Sequence, residues 1–95
     1  MKKTKSYIAL FIISSDKQDI IEDIKKKIIS IINENSGEIL KEDMIGKREL
    51  AYHIKKKKFG IYYEINFNAL PESINIMKKE FEIDTNILRT LIDKN

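Results

Sequence analysis

The stretch that most restricts the fold of this chain is GIYYEINF, residues 60–67, where apolar and polar side chains alternate. Successive side chains of a β-strand point to opposite sides of a sheet. The pattern therefore predicts a strand with one face on a core and the other facing away from it. The predicted core-facing residues are Ile61, Tyr63, Ile65 and Phe67, and the predicted outward-facing residues are Tyr62, Glu64 and Asn66.

A segment with helical periodicity precedes this strand. Isoleucines recur at three- and four-residue spacing from Ile20 to Ile32, which predicts an amphipathic helix of roughly 20 residues. Ser15 and Gln18 have the spacing of a capping box at the helix start. Gly37 is expected to end the helix, because glycine is the commonest residue just past a helix C-terminus.

The rest of the chain predicts three more strands and a second helix. Apolar runs at residues 6–13 and 87–92 predict the first and last strands. A long extended segment, residues 38–54, is expected to bend or bulge at Gly46. Pro71 suits the first turn of a helix. The order β-α-β-β-α-β predicts one ferredoxin-like α+β domain over the 95 residues, with a four-stranded antiparallel sheet and both helices on one face.

The face of the sheet away from the helices is predicted to be largely apolar. Arg89 marks the outward side of the last strand, which would place Ile87 and Leu91 outward with it. The first strand has no polar side, so either of its faces could be the open one; we expect Phe11 and Ile13 to fill the core. A contiguous exposed apolar patch typically marks a protein contact. The candidate partner surface consists of Ile8, Leu10, Ile12, Tyr62, Arg89 and Leu91.

Four consecutive lysines lie in the predicted turn between the second and third strands. The net charge of the chain is only +3, which permits contact with a nucleic acid over a small area or beside a more basic partner. A solvated turn, or a device against edge-to-edge aggregation, would explain the same lysines. The candidate phosphate-binding residues are Lys2, Lys3, Lys47, Arg48, Lys55, Lys56, Lys57 and Lys58.

Several functional classes find no support in the sequence. Because cysteine is absent, disulfides and cysteine metal sites are excluded. His53 is the only histidine and has no neighbours typical of a catalytic triad or a metal cluster. No apolar run approaches the roughly 20 residues needed to span a bilayer. The N-terminal lysines precede a short apolar stretch without a cleavage pattern. We therefore expect a cytoplasmic protein without cofactor, metal, membrane contact or small-molecule substrate.

Two other functions remain as alternatives for this topology. An acylphosphatase-like enzyme would have a glycine-rich loop with an arginine after the first strand, whereas this chain has SSDKQD at residues 14–19. A single-stranded RNA-binding module of the RNA-recognition-motif type would stack bases on aromatic side chains of the third strand. Tyr62 is the one residue placed to do so, and Glu64 beside it would repel phosphate.

The chain resembles the bacterial ribosomal protein S6 family along its whole length. The resemblance rests on Tyr7, on GEIL at residues 37–40 and above all on GKRELAYHIKKKKFGIYY at residues 46–63. INF, PESI and NILRTLI match in order further on. It implies a non-enzymatic component of the 30S subunit that binds the central domain of 16S rRNA with ribosomal protein eighteen of the same subunit, as a heterodimer. Ile8 stands where the family usually has glutamate, which makes the open face more apolar.

Overall fold

Strand pairing builds a four-stranded antiparallel sheet in the computed structural model, which describes residues 3–95. The elements are β1 (Lys5–Ser14), a 3-10 helix (Ser15–Ile20), α1 (Ile21–Glu34), β2 (Glu38–Ile54), β3 (Lys57–Ala69), α2 (Pro71–Ile83) and β4 (Ile87–Lys94). The strand order β2-β3-β1-β4 makes β1 and β3 central. The predicted ferredoxin-like arrangement is confirmed. Lys2, a candidate phosphate-binding residue, lies outside the described residues.

The core lies between the two helices and one face of the central strands. Both helices contribute to it, through side chains such as Ile28 of α1 and Phe81 of α2. Phe11 of β1 pairs across the sheet with Tyr63 of β3, and its ring meets that of Phe81 edge-on at 4.8 Å between centroids. The alternation predicted for β3 is confirmed. In β1 the core-facing residues are Tyr7, Ala9, Phe11 and Ile13, so the expected outward set of Ile8, Leu10 and Ile12 is also confirmed.

The start of the first helical segment differs from the predicted capping box. Ser14, not Ser15, precedes the 3-10 helix, and its side chain makes no capping hydrogen bond to the backbone. Its hydroxyl donates instead to the carboxylate of Asp16. Lys17 has non-helical backbone angles, so α1 begins only at Ile21 and is 14 residues long.

The end of α1 is a Schellman motif in which Ser36 is the left-handed residue and Gly37, the residue expected to end the helix, follows it. Ser36 has φ +62°, and its N–H donates to the carbonyl of Asn33 at 3.2 Å. The N–H of Gly37 donates to the carbonyl of Ile32 at 2.8 Å. A Cβ at position 37 would lie 2.8 Å from that same carbonyl oxygen, so glycine is needed there for close approach.

The β2–β3 hairpin contains the predicted irregularity at Gly46, which has φ +107° and lies at a register shift. The turn itself is shorter than the lysine run. Ile54 pairs with Lys57, and the two residues between them, Lys55 and Lys56, have φ values of +50° and +65°. Positive φ at both central positions is typical of a type I′ turn, whose twist matches that of paired strands. Lys57 and Lys58 belong to β3.

The prediction that Ile87 faces outward with Arg89 is wrong, because β4 contains a bulge. Ile12 pairs with Arg89 and Ile13 pairs with Ile87, which leaves Leu88 as an extra residue between them. Ile87 consequently packs in the core beneath the helices, whereas Leu88 packs against Ile12 on the opposite side of the sheet. Beyond the bulge, Arg89 and Leu91 face outward as predicted.

The two residues that end α1 should respond oppositely to substitution. Gly37→Ala forces a methyl group against the Ile32 carbonyl and should lower the free energy of unfolding by about 1–3 kcal/mol. Ser36→Gly relieves the left-handed conformation and should raise it by less than about 1 kcal/mol. Urea denaturation of both variants measures the pair of values. A Gly37→Ala variant with an unchanged free energy of unfolding would contradict the close approach of position 37 to the Ile32 carbonyl.

Candidate functional site

The face of the sheet that the helices leave uncovered, here called the open face, is organised in three cross-strand rows. Each row contains one residue from each strand, in the order β4, β1, β3, β2. The rows are Arg89–Ile12–Tyr62–Gly46, Leu91–Leu10–Glu64–Asp43 and Asp93–Ile8–Asn66–Lys41. The candidate partner residues therefore lie together, and charged residues surround them.

A groove of about 190 Å³ crosses the open face where β2 extends toward the hairpin turn. Its lining includes Leu10, Ile12, Leu50, Tyr52, Tyr62 and Leu91. Leu91 is 45% exposed and Tyr52 is 67% exposed, so apolar surface is open to solvent at its edges. Five of the six candidate partner residues line this groove, Ile8 being the exception.

Ile12 is buried at the bottom of the groove, although the sequence pattern places it on an uncovered face. It is 5% exposed because Leu50 and Leu88 pack on it and form a small second core. Gly60 completes this packing, since a Cβ there would lie 2.5 Å from the Ile12 Cγ2. Leu50, Leu88 and Tyr52 were not recognised in the sequence. Their positions follow from register shifts, which leave no local signal.

Two carboxylates face each other on the open face. Asp43 of β2 lies directly opposite Glu64 of β3, an arrangement that destabilises a sheet because like charges repel. Neither forms an ion pair within residues 3–95. Leu10 and Leu91 continue the same row. Asp43 was not predicted as a site residue, because the bulges in β2 obscure which of its side chains face outward.

The basic cluster at the other end of β2, here called the lysine hairpin, consists of Lys47, Arg48 and Lys55–Lys58. Lys55 and Lys56 are exposed at the turn. Lys47 and Lys58 lie 5.0 and 5.7 Å from the centroid of the Phe59 ring, within the range of cation–π attraction. Arg48 donates to the neighbouring carbonyl of Lys47 at 2.9 Å. Ile54, beside the turn, also lines the groove, so the two surfaces are continuous.

The structure does not bring Lys3 together with the lysine hairpin. Lys3 precedes β1, whose first residue, Lys5, pairs with the last residue of β3, Ala69. The hairpin turn lies beyond the opposite end of β1, where Ser14 pairs with Gly60. Ten strand residues separate the two ends by roughly 30 Å. Lys3 and the hairpin are therefore separate basic regions.

Lys57 differs from its neighbours because its charge is paired. Its Nζ lies 3.0 Å from Oδ2 of Asp16 in the 3-10 helix. The Ser14 hydroxyl and the Lys57 ammonium lower the pKa of Asp16 to about 2, from an ordinary value of 3.8. The hydroxyl makes the larger contribution. Asp16 was not predicted as a site residue, since it lies 41 positions from Lys57 in the sequence.

Other chemistry has little support in the described part of the chain. Within residues 3–95, no group of three or more histidine, aspartate or glutamate side chains could hold a metal ion. None of the helices there is long and apolar enough to cross a membrane. His53 is exposed on β2. The two surfaces described above are the features that call for a function.

Comparison with known proteins gives a consistent result. The family model described as Ribosomal protein S6 matches residues 6–94. The chain is 38% identical over 93 residues to small ribosomal subunit protein bS6 of Thermoanaerobacter pseudethanolicus, covering 93% of this chain and 94% of that one. The bS6 of Caldanaerobacter subterraneus is 36% identical with the same coverage. The crystal structure of 30S ribosomal protein S6 from Thermotoga maritima superimposes with a TM-score of 0.91, 26% identity and coverage of 98% of this chain and 89% of that one.

Acid titration should distinguish the contributions of Ser14 and Lys57 to the lowered pKa of Asp16. Because its pKa is lowered in the folded protein, its contribution to stability is present above about pH 4 and is lost as the pH falls toward 2. Ser14→Ala should raise the pKa of Asp16 more than Lys57→Ala does. Carbon-13 NMR titration of the Asp16 carboxyl group measures both shifts. A larger rise in Lys57→Ala would contradict the dominant role of the hydroxyl.

Proposed function

The chain belongs to the ribosomal protein S6 family, and from this premise we propose that it binds the central domain of 16S rRNA as a heterodimer with ribosomal protein eighteen. As a family member it is a structural protein of the small ribosomal subunit, located in the cytoplasm, and not an enzyme. It therefore associates with the ribosome and its RNA. The proposal concerns which RNA, which partner and which residues.

The lysine hairpin supports the RNA part of the proposal. A type I′ turn presents Lys55 and Lys56 at the tip of a long hairpin, where both side chains are exposed. Exposed ammonium groups bind phosphates by charge alone, so they position a protein on RNA without reading its sequence. Arg48 and Lys58 lie on the two strands that lead to this turn. Lys3 would form a second and separate contact, and Lys2, outside the described residues, stays a predicted phosphate-binding residue.

The open face supports the partner part, and its composition is the observation that carries the proposal. An exposed apolar groove requires a cover, and Leu10, Tyr62 and Leu91 provide the apolar contact area. The carboxylates of Asp43 and Glu64 beside them, which form no ion pair in the part of the chain that the structure describes, favour a basic partner. A phosphate chain would be repelled there. We therefore assign this face to ribosomal protein eighteen and the lysine hairpin to the RNA.

The base-stacking alternative is less well supported. Tyr62 packs against the cluster formed by Ile12, Leu50 and Leu88, so its ring is only partly available. Glu64 and Asp43 occupy the neighbouring row. A base stacked on Tyr62 would bring its phosphates close to these carboxylates. When ribosomal protein eighteen is saturating, Tyr62→Ala should accordingly leave RNA affinity almost unchanged in filter binding.

Removing the turn lysines should lower the salt dependence of RNA binding. With ribosomal protein eighteen present, Lys55→Ala/Lys56→Ala should reduce the slope of log affinity against log salt by roughly 1.4–1.8, if each lysine neutralises one phosphate. The matched control is Lys26→Ala/Lys79→Ala, which removes two exposed lysines from the helices. Filter binding of a central-domain RNA fragment over a KCl series gives the slopes. An equal reduction of the slope in the control would contradict a local phosphate contact at the turn. Repeating the series without ribosomal protein eighteen measures how much the partner contributes to RNA affinity.

Glu64→Gln should change stability and partner binding in opposite directions. It removes repulsion from Asp43, so the isolated chain should gain roughly 0.2–1 kcal/mol in free energy of unfolding. It also removes a charge that the basic partner would meet, so affinity for ribosomal protein eighteen should fall. Urea denaturation and calorimetric titration measure the two effects, with Glu82→Gln, an exposed residue of α2, as control. Unchanged or tighter partner binding would contradict the assignment of this face.

A further inference from the structure

Asp16 is held in a fixed position beside the lysine hairpin. One of its carboxylate oxygens accepts a hydrogen bond from the Ser14 hydroxyl. The other accepts a hydrogen bond from the Lys57 ammonium, with 3.0 Å between Nζ and Oδ2. Ser14 is only 3% exposed, and its N–H donates to the carbonyl of Asn86 at 2.9 Å, so the residue that orients the carboxylate is buried and hydrogen-bonded through its backbone. The carboxylate is therefore a built part of this surface.

The ion pair formed by Asp16 and Lys57 is nevertheless open to exchange. The Lys57 side chain is 40% exposed and the Asp16 side chain is 57% exposed, so a dissolved anion can reach the ammonium group. Exposed ion pairs are weak, because water and salt screen both charges. Phosphate oxygens accept the same charge-assisted hydrogen bond that the carboxylate accepts. Lys57 can thus change partners at little cost.

We propose that Asp16 takes the place of an RNA phosphate at Lys57 in the free protein, and that Lys57 exchanges this carboxylate for a phosphate when RNA binds. This inference rests on the proposed function. Asp16 lowers the affinity of the hairpin for RNA, because each binding event must displace it. Lys55 and Lys56, which have no such partner within residues 3–95, bind phosphate without this competition.

The test is a comparison of Asp16→Asn with the unmodified chain, in complex with ribosomal protein eighteen and a central-domain RNA fragment. Asparagine keeps an oxygen for the Ser14 hydroxyl and removes the charge that holds Lys57. RNA affinity in low salt should rise about 1.4- to fivefold, the range typical of exposed ion pairs, and the gain should shrink as salt is added. In a Lys57→Gln background, Asp16→Asn should produce no such gain.

Asp19→Asn is the matched control. Asp19 is an exposed carboxylate of the same 3-10 helix, and its substitution by asparagine removes the same charge as Asp16→Asn does. An equal gain from Asp19→Asn would show a general charge effect and overturn the exchange. Lower affinity in Asp16→Asn would overturn it as well, since Asp16 would then position Lys57 for RNA. If the unmodified complex fails to bind the RNA in low salt, the proposed function itself fails; a complex that binds equally well with either residue at position 16 refutes only the exchange.

Discussion

The packing of the central strands beneath the helices determines which surfaces this protein presents. Phe11 and Tyr63 are neighbours across β1 and β3, and Phe81 of α2 closes over Phe11. Once this side of both strands is buried, the alternation of side chains fixes every other residue on the opposite side. Ile8, Leu10, Tyr62 and Glu64 lie half-buried on the open face for that reason, and not because of any local preference.

The open face is only partly uncovered, because the protein closes one end of it with its own side chains. β2 is longer than the strands beside it, and its irregular end places Leu50 over Ile12, where the β4 bulge adds Leu88. This small second core anchors the base of the hairpin to the sheet. The remaining apolar surface lies between that core and the Asp43–Glu64 pair.

Charge divides the surface of the molecule into two regions of opposite sign. Carboxylates face each other on the open face, whereas exposed ammonium groups are concentrated at the hairpin tip. Such a separation suits a protein that contacts a basic protein and a polyanion at once, since each region repels the other ligand. Asp16 modifies this division locally by neutralising one lysine of the hairpin.

The sequence by itself determined the order of the elements, the inward and outward residues of β3 and the presence of a hairpin turn within the lysine run, because all of these follow from patterns between near neighbours. The first strand has no polar side, so packing in the core decided which of its faces is buried. The sequence also indicated the family through GKRELAYHIKKKKFGIYY. Only the tertiary structure decided that Ile87 is buried, that Leu50 covers Ile12, that Lys3 lies far from the hairpin and that Lys57 meets Asp16. Bulges shift the register without a local signal, and contacts between distant residues depend on how the strands pair in space.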